Sequence, residues 1–244
     1  PNLLDATANN FFRGIDSVNF FEIGNVFDSH KFEGQKTFLG IVKCGFSGHK
    51  TWTEKRRNFD FFDIKSDILE LLDYLNLNKK IKFKRSSSEW YHPGKSADII
   101  FNEIKLGSFG ELHPSLYKVF NLKNVALIGQ LELNKLDKYY TNENQKQPFL
   151  SSNFLSLKKD FSFIINKNSS VGDLIEAVKK SSSLIEEVSV FDVYEIKSSD
   201  NDNISVAIEV EIVQSEKVFN SEEINKLMTI IIENARKLGA KLRD

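Results

Sequence analysis

Apolar positions recur along this chain with two periods, about 3.6 and 2, and their order separates it into two parts. Pro1-Asn2-Leu3-Leu4 leads into a helix-like stretch through Phe12. Phe20 to Phe27 and Thr37 to Val42 are rich in aromatic and β-branched residues and predict strands. Ile68, Leu71, Leu72 and Leu75 fall at i, i+3, i+4 and i+7, which predicts a helix over 67–77 with Ser66 as its N-cap. Asp98 to Phe101, Ile104 to Phe109 and Val125 to Leu133 read as further strands. The first part is therefore expected to be an α+β domain built on an antiparallel sheet.

The second part has a cleaner order. A strand over 160–166 precedes a helix over 171–180, in which Val171, Leu174, Ile175 and Val178 share one face. Strands over 188–194 and 204–213 follow, separated by a polar turn at 198–203. A second helix opens at Asn220-Ser221-Glu222-Glu223, where Asn220 caps and Glu223 completes a capping box, and Gly239 ends it before a short last strand over 240–243. The order βαββαβ is that of a ferredoxin-like domain. Between the two parts, Thr141 to Pro148 is polar, without apolar anchors, and ends in proline, so the expected domains are 1–144 and 145–244.

Composition narrows the function classes. The chain has 244 residues and a formal net charge of -1, so no overall basic field draws it to nucleic acid or to an anionic membrane, and any RNA contact has to be local. A single cysteine, Cys44, and four histidines give neither an internal disulfide nor a zinc spacing. No apolar run approaches the roughly 20 residues of a membrane span and no signal-peptide pattern opens the chain, which together predict a soluble, cytoplasmic protein. The start without an initiator methionine suggests a piece of a longer polypeptide.

Isolated reactive residues read as structural. His92 and His113, each followed by proline, lack a paired carboxylate or nucleophile at useful spacing and are expected to form turns. Asp63 and Asp67 read as helix-start carboxylates rather than a magnesium site, Arg56 and Arg57 as a polar surface pair, and Cys44 as packing.

Local phrases carry a more specific signal. Lys158-Lys159-Asp160-Phe161, Phe191-Asp192-Val193-Tyr194, the cap from Lys217 to Glu223 and the ending Gly239-Ala240-Lys241-Leu242-Arg243 resemble the anticodon-binding domain of bacterial phenylalanyl-tRNA synthetase β subunits. Upstream, Phe21-Glu22-Ile23-Gly24, Phe61-Phe62-Asp63-Ile64-Lys65, His92-Pro93-Gly94-Lys95-Ser96-Ala97 and the stretch from Gly107 to Pro114 resemble the preceding synthetase-like domain. The resemblance implies a catalytically silent class II synthetase-like sheet domain, truncated at its N-terminal side, followed by a ferredoxin-like anticodon-binding domain. It also implies a partner α subunit in a heterotetramer of two α and two β chains, and phenylalanine tRNA as the bound RNA. ATP and Mg2+ would serve the whole enzyme, with no cofactor in this piece and no catalytic residue, because the arginine motifs that hold ATP are missing.

For the tRNA site, the resemblance points to Asp192 and Tyr194, with Lys158, Lys159 and Lys217 as phosphate contacts. Lys159 and Lys217 stand where the family usually has arginine, which exchanges bidentate reach for a point charge. From Gln145 onward, 13 Lys and Arg face 16 Asp and Glu, so a few specific groups must do the recognising. Alternation puts Phe161, Phe163 and Ile165, and Val206, Ile208, Val210 and Ile212, on core sides, with Ser162, Ser205, Ala207, Glu209 and Glu211 opposite. In the 191–194 motif it sets Asp192 and Tyr194 on one face and Phe191 and Val193 on the other. A carboxylate there accepts two hydrogen bonds from the N1-H and exocyclic amine of guanine, the first base of phenylalanine anticodons, and a phenol ring stacks on a splayed base. The competing readings are a ferredoxin-like small-ligand-binding or regulatory protein, which requires a pocket of convergent polar groups, and an active ligase piece, which requires the missing ATP motifs.

Overall fold

The computed structural model describes all residues except 28, 30–33, 49, 78–80, 138, 140–154, 197–201, 214–218 and 244. The chain divides into two compact units, Pro1–Gln147 and Pro148–Asp244. The polar connection expected between them lies outside the described residues.

In unit one, α1 (Asn2–Phe12) leads to β1 (Val18–Phe27) and β2 (Gln35–Cys44), then to a short pair β3 (Phe46–Ser47) and β4 (Arg57–Asn58). Helix α2 (Phe61–Tyr74) is followed by β5 (Ile81–Arg85), β6 (Tyr91–Phe101), β7 (Ile104–Leu112), β8 (Ala126–Glu132) and α3 (Leu133–Asp137). Six of the strands form one antiparallel sheet in the order β1-β2-β8-β7-β6-β5. Successive residues of a strand point to opposite faces, and β2 shows why both faces need cover. Leu39 and Ile41 join the core under α2, where Ile64, Ile68 and Leu72 are fully buried, while Val42 and Cys44 join a second core with Leu4 of α1. Cys44 is packing, as expected, and burial pushes its thiol up to about 11.

The start of α2 corrects the sequence reading. The helix begins at Phe61, not after Ser66, because the apolar seam reaches back to Phe61 and Ile64 and because Asp60 caps it. The Asp60 carboxylate accepts from the Phe62 and Asp63 amides, and Asp63 returns the favour by accepting from the Asp60 amide at 2.7 Å. Strand β5 went unanticipated: its two inward residues, Ile81 and Phe83, alternate with cations that keep a sheet edge soluble.

Unit two follows the expected order, with β9 (Leu157–Asn166), α4 (Val171–Lys179), β10 (Ile185–Ile196), β11 (Asn203–Ile212), α5 (Ser221–Lys237) and β12 (Lys241–Leu242). The antiparallel sheet runs β10-β11-β9-β12, the strand order of a ferredoxin-like domain. Both helices cover one face, where Phe163, Val206, Ile208, Ile212 and Ile231 are buried. The Asn220–Glu223 capping box is present, and Gly239 at φ +82° lets the chain leave α5 into β12 where a side chain would be strained.

Two tests follow from this packing. Residues 148–244 produced alone should unfold cooperatively in denaturant, because the core formed by their described residues is made of their own side chains. Asp63 also takes Arg57 in a two-point ion pair at 2.6 Å, and that hydrogen-bonded guanidinium holds the Asp63 carboxyl below its ordinary value. Its stabilisation is thus full above an unfolded pKa of about 4 and is lost as pH falls through the depressed value. Asp63→Asn should cost about 1–2 kcal/mol at pH 7 by chemical denaturation, with the gap to the parent narrowing below about pH 4.

Candidate nucleic-acid interface

One irregularity sets the outer face of unit two. Along β10, Val188 and Val190 pair with Val210 and Ile208 and lie on the core side. The next paired residue is Asp192, opposite Ala207, so Phe191 is an extra residue in a β-bulge. The bulge reverses the phase of the strand. Uninterrupted alternation from Val188 would send Asp192 and Tyr194 under the helices; after the bulge both stand on the open face, with Val193 opposite core residue Val206. Phe191 itself is 61% exposed.

Around Tyr194 the open face is built from short-range contacts. Tyr194 pairs with Ser205, whose hydroxyl lies 3.1 Å from that of Ser162 on β9. Arg243 continues the β12 ladder by donating its amide to the Ser162 carbonyl at 2.8 Å, and its guanidinium carbon sits 5.1 Å from the centre of the Tyr194 ring. Tyr194 keeps 38% of its surface exposed, and Asp192 is exposed, its side chain without a hydrogen-bond partner among the described residues. Arg243 was not among the site residues read from the sequence. The available signal was the alternation Lys241, Leu242, Arg243, which puts two cations opposite an apolar residue.

The sequence-predicted lysines do not join this cluster. Lys158 shares the open face but stands four residues along β9 from Ser162, about 13 Å away. Its ammonium bonds Glu209 at 2.8 Å, which with nearby Glu211 and Glu187 holds its pKa above the usual lysine value. Lys159 pairs with core residue Val210 and so belongs to the helix-covered side. Lys217 lies outside the described residues. The open face is consequently polar along its strands: Glu187, Glu209 and Glu211 gather at one end, while Arg243 and Lys241 lie toward the other. A phosphate backbone is repelled from the acidic end and tolerated near Tyr194.

In unit one the reactive-looking residues are committed to structure. Arg56 makes a two-point pair with Asp16 at 2.8 and 3.1 Å and lies over the Phe46 ring, and Arg57 is held by Asp63. Asp67 is paired with Lys43 at 2.8 Å. His92 accepts the Gly94 amide through Nδ1, and His113 caps a 3-10 turn at Pro114–Leu116 by accepting the Ser115 amide. Among the described residues no three His, Cys, Asp or Glu side chains gather as a metal site, and no helix is long and apolar enough to cross a membrane.

Because Asp192 has nothing to hold within the described structure, Asp192→Asn should shift the unfolding free energy by no more than about 0.5 kcal/mol. Tyr194→Ala, which strips Arg243 of its aromatic partner, should cost about 1 kcal/mol more than that in thermal or denaturant melts.

Both units match known protein families. Residues 1–133 match the phenylalanyl-tRNA synthetase β chain CLM domain, and residues 152–243 match the ferredoxin-fold anticodon-binding domain. The phenylalanine–tRNA ligase β subunit of Wolbachia sp. subsp. Brugia malayi is 33% identical over 97% of this chain and 29% of its own length. That of Ehrlichia canis is 33% identical over 100% of this chain and 31% of its own length, and that of Bacillus licheniformis 30% identical over 93% and 28%. The chain spans about three-tenths of the length of these curated relatives. With two family models in series accounting for both units, the chain belongs to the phenylalanyl-tRNA synthetase β-chain family.

Proposed function

We propose that this chain serves phenylalanine–tRNA ligase as a non-catalytic β-subunit portion, reading the tRNA anticodon through unit two and packing against an α subunit through unit one. The observation that carries the reading is the bulge-directed pair Asp192 and Tyr194 on the open face of an anticodon-binding domain, backed by Arg243. Asp192 offers two acceptors to the N1-H and exocyclic amine of guanine. One side of the Tyr194 ring is occupied by the guanidinium, and the other offers a stacking platform to a splayed base; Arg243 supplies charge for the backbone, to which the family resemblance adds Lys217.

Packing against an α subunit in a heterotetramer of two α and two β chains is supported by β1. This edge strand leaves Phe21, Ile23, Val26 and Phe27 exposed, an apolar display that a subunit contact removes from water. In this reading ATP and Mg2+ act at the α subunit, since Arg56 and Arg57 are each tied to an aspartate and Asp63 and Asp67 are already paired. The single buried cysteine suits a cytoplasmic setting.

The reading is tested with the phenylalanine tRNA anticodon stem-loop and a counterpart with another first anticodon base. Asp192→Asn turns one acceptor into a donor facing guanine donors and should cost about 1–3 kcal/mol for the matched loop only. Arg243→Ala or Lys217→Ala should weaken matched and mismatched loops alike and flatten the salt slope by about 1 or less. An unchanged matched-to-mismatched ratio in folded Asp192→Asn refutes the assignment.

A further inference from the structure

Unit one carries a groove of about 830 Å3 that the reading above does not use. It lies where β6 and β7 lose register between Tyr91 and Ser96, and it is walled by the end of β5, the loop over 86–90 and the 3-10 turn after β7. The walls are fixed by backbone bonds: across the gap the Ser86 amide donates to the Ser96 carbonyl and the His113 amide to Trp90 at 2.8 Å, and within the loop the Tyr91 amide donates to Ser88. Beneath them Tyr91 is buried, with its hydroxyl 3.1 Å from that of Ser108, and Trp90 stands edge-on to the Tyr91 ring. A groove braced in this way is largely formed before a ligand arrives.

Its lining combines three kinds of group. Trp90 is 49% exposed and offers an indole to a planar ring. Arg85 spends only its Nε on the Pro93 carbonyl, so among the described residues its terminal amino groups remain available as a planar fork, the geometry that suits phosphate oxygens. His113 accepts the Ser115 amide at Nδ1, which places the proton of the neutral ring on Nε2 as a donor. Ser87 and Ser88 add hydroxyls, and Glu89 adds a carboxylate that accepts from hydroxyl or amine donors while opposing a bare anion.

We propose that this groove binds a nucleotide, its base stacked on Trp90, its phosphate held by Arg85, and its sugar hydroxyls facing Glu89. Inorganic phosphate alone lacks the stacking surface and meets Glu89, whereas an uncharged nucleoside forfeits Arg85. The same chemistry belongs to a free mononucleotide and to one unit of a single-stranded RNA, and the volume of the groove, within the usual range for small-ligand sites, admits either.

The chain has two tryptophans, and the other, Trp52, is 96% exposed, so Trp52→Phe leaves Trp90 as the sole indole emitter in the whole chain without disturbing packing. On that background AMP should quench Trp90 emission saturably, adenosine should need about tenfold more, and inorganic phosphate should not quench. Arg85→Met should weaken AMP at least about fivefold and Arg85→Lys by less, while Glu89→Gln should tighten it about twofold. An adenosine trinucleotide acting at about tenfold lower concentration than AMP identifies a strand of RNA as the occupant; equal concentrations identify a free nucleotide. Absence of saturable quenching by both AMP and the trinucleotide overturns the proposal, as does an Arg85→Lys protein, folded by circular dichroism, that binds AMP as tightly as the parent.

Discussion

The constraint on which unit two depends is that two helices cover one face of a four-stranded sheet, so every strand must send alternate residues inward. Phe161, Phe163 and Ile165 on β9, and Val206, Ile208, Val210 and Ile212 on β11, obey it without exception. Strand β10 obeys it only by breaking its own period at Phe191. The extra residue lets Val188 and Val190 serve the core and still delivers Asp192 and Tyr194 to the other side. A carboxylate and a phenol are thereby exposed together on an edge strand of a packed sheet, not on a loop.

Charge then decides where on that face a polyanion is tolerated. The chain as a whole is nearly neutral, and unit two is net acidic, so attraction comes from placement instead of total. Lys158 is held by Glu209 within a group of carboxylates, which converts a predicted phosphate contact into a structural pair that a phosphate would have to compete with. Arg243 is the opposite case. Among the described residues it has an aromatic partner and no anionic one, which leaves its charge usable beside Tyr194.

Unit one shows the same economy with different groups. The adjacent arginines at 56 and 57 look from their sequence like a cationic surface pair, yet each closes on an aspartate, one from the turn before β1 and one from the first turn of α2. Their role is to brace the segment between β3 and α2. The serine-rich loop before β6, in contrast, leaves Arg85, Trp90 and His113 turned toward one groove.

Periodicity determined much of this protein. The two faces of β9 and β11, the α4 and α5 seams and the Asn220 cap were legible because burial repeats at 2 or 3.6 residues and capping acts over three. Phrases such as Phe191-Asp192-Val193-Tyr194 carried the family. What the sequence could not carry was long-range or phase-breaking. Asp60 as the true cap of α2 was hidden because Ser66 also satisfies the local rule, and only packing of Phe61 and Ile64 lengthens the helix. The bulge at Phe191, the 51-residue reach by which Glu209 meets Lys158 across paired strands, and the meeting of Arg243 with Tyr194 from the two outer strands all depend on register. Local pattern fixes which residues share a face, but which of them touch across that face is decided only when the strands pair.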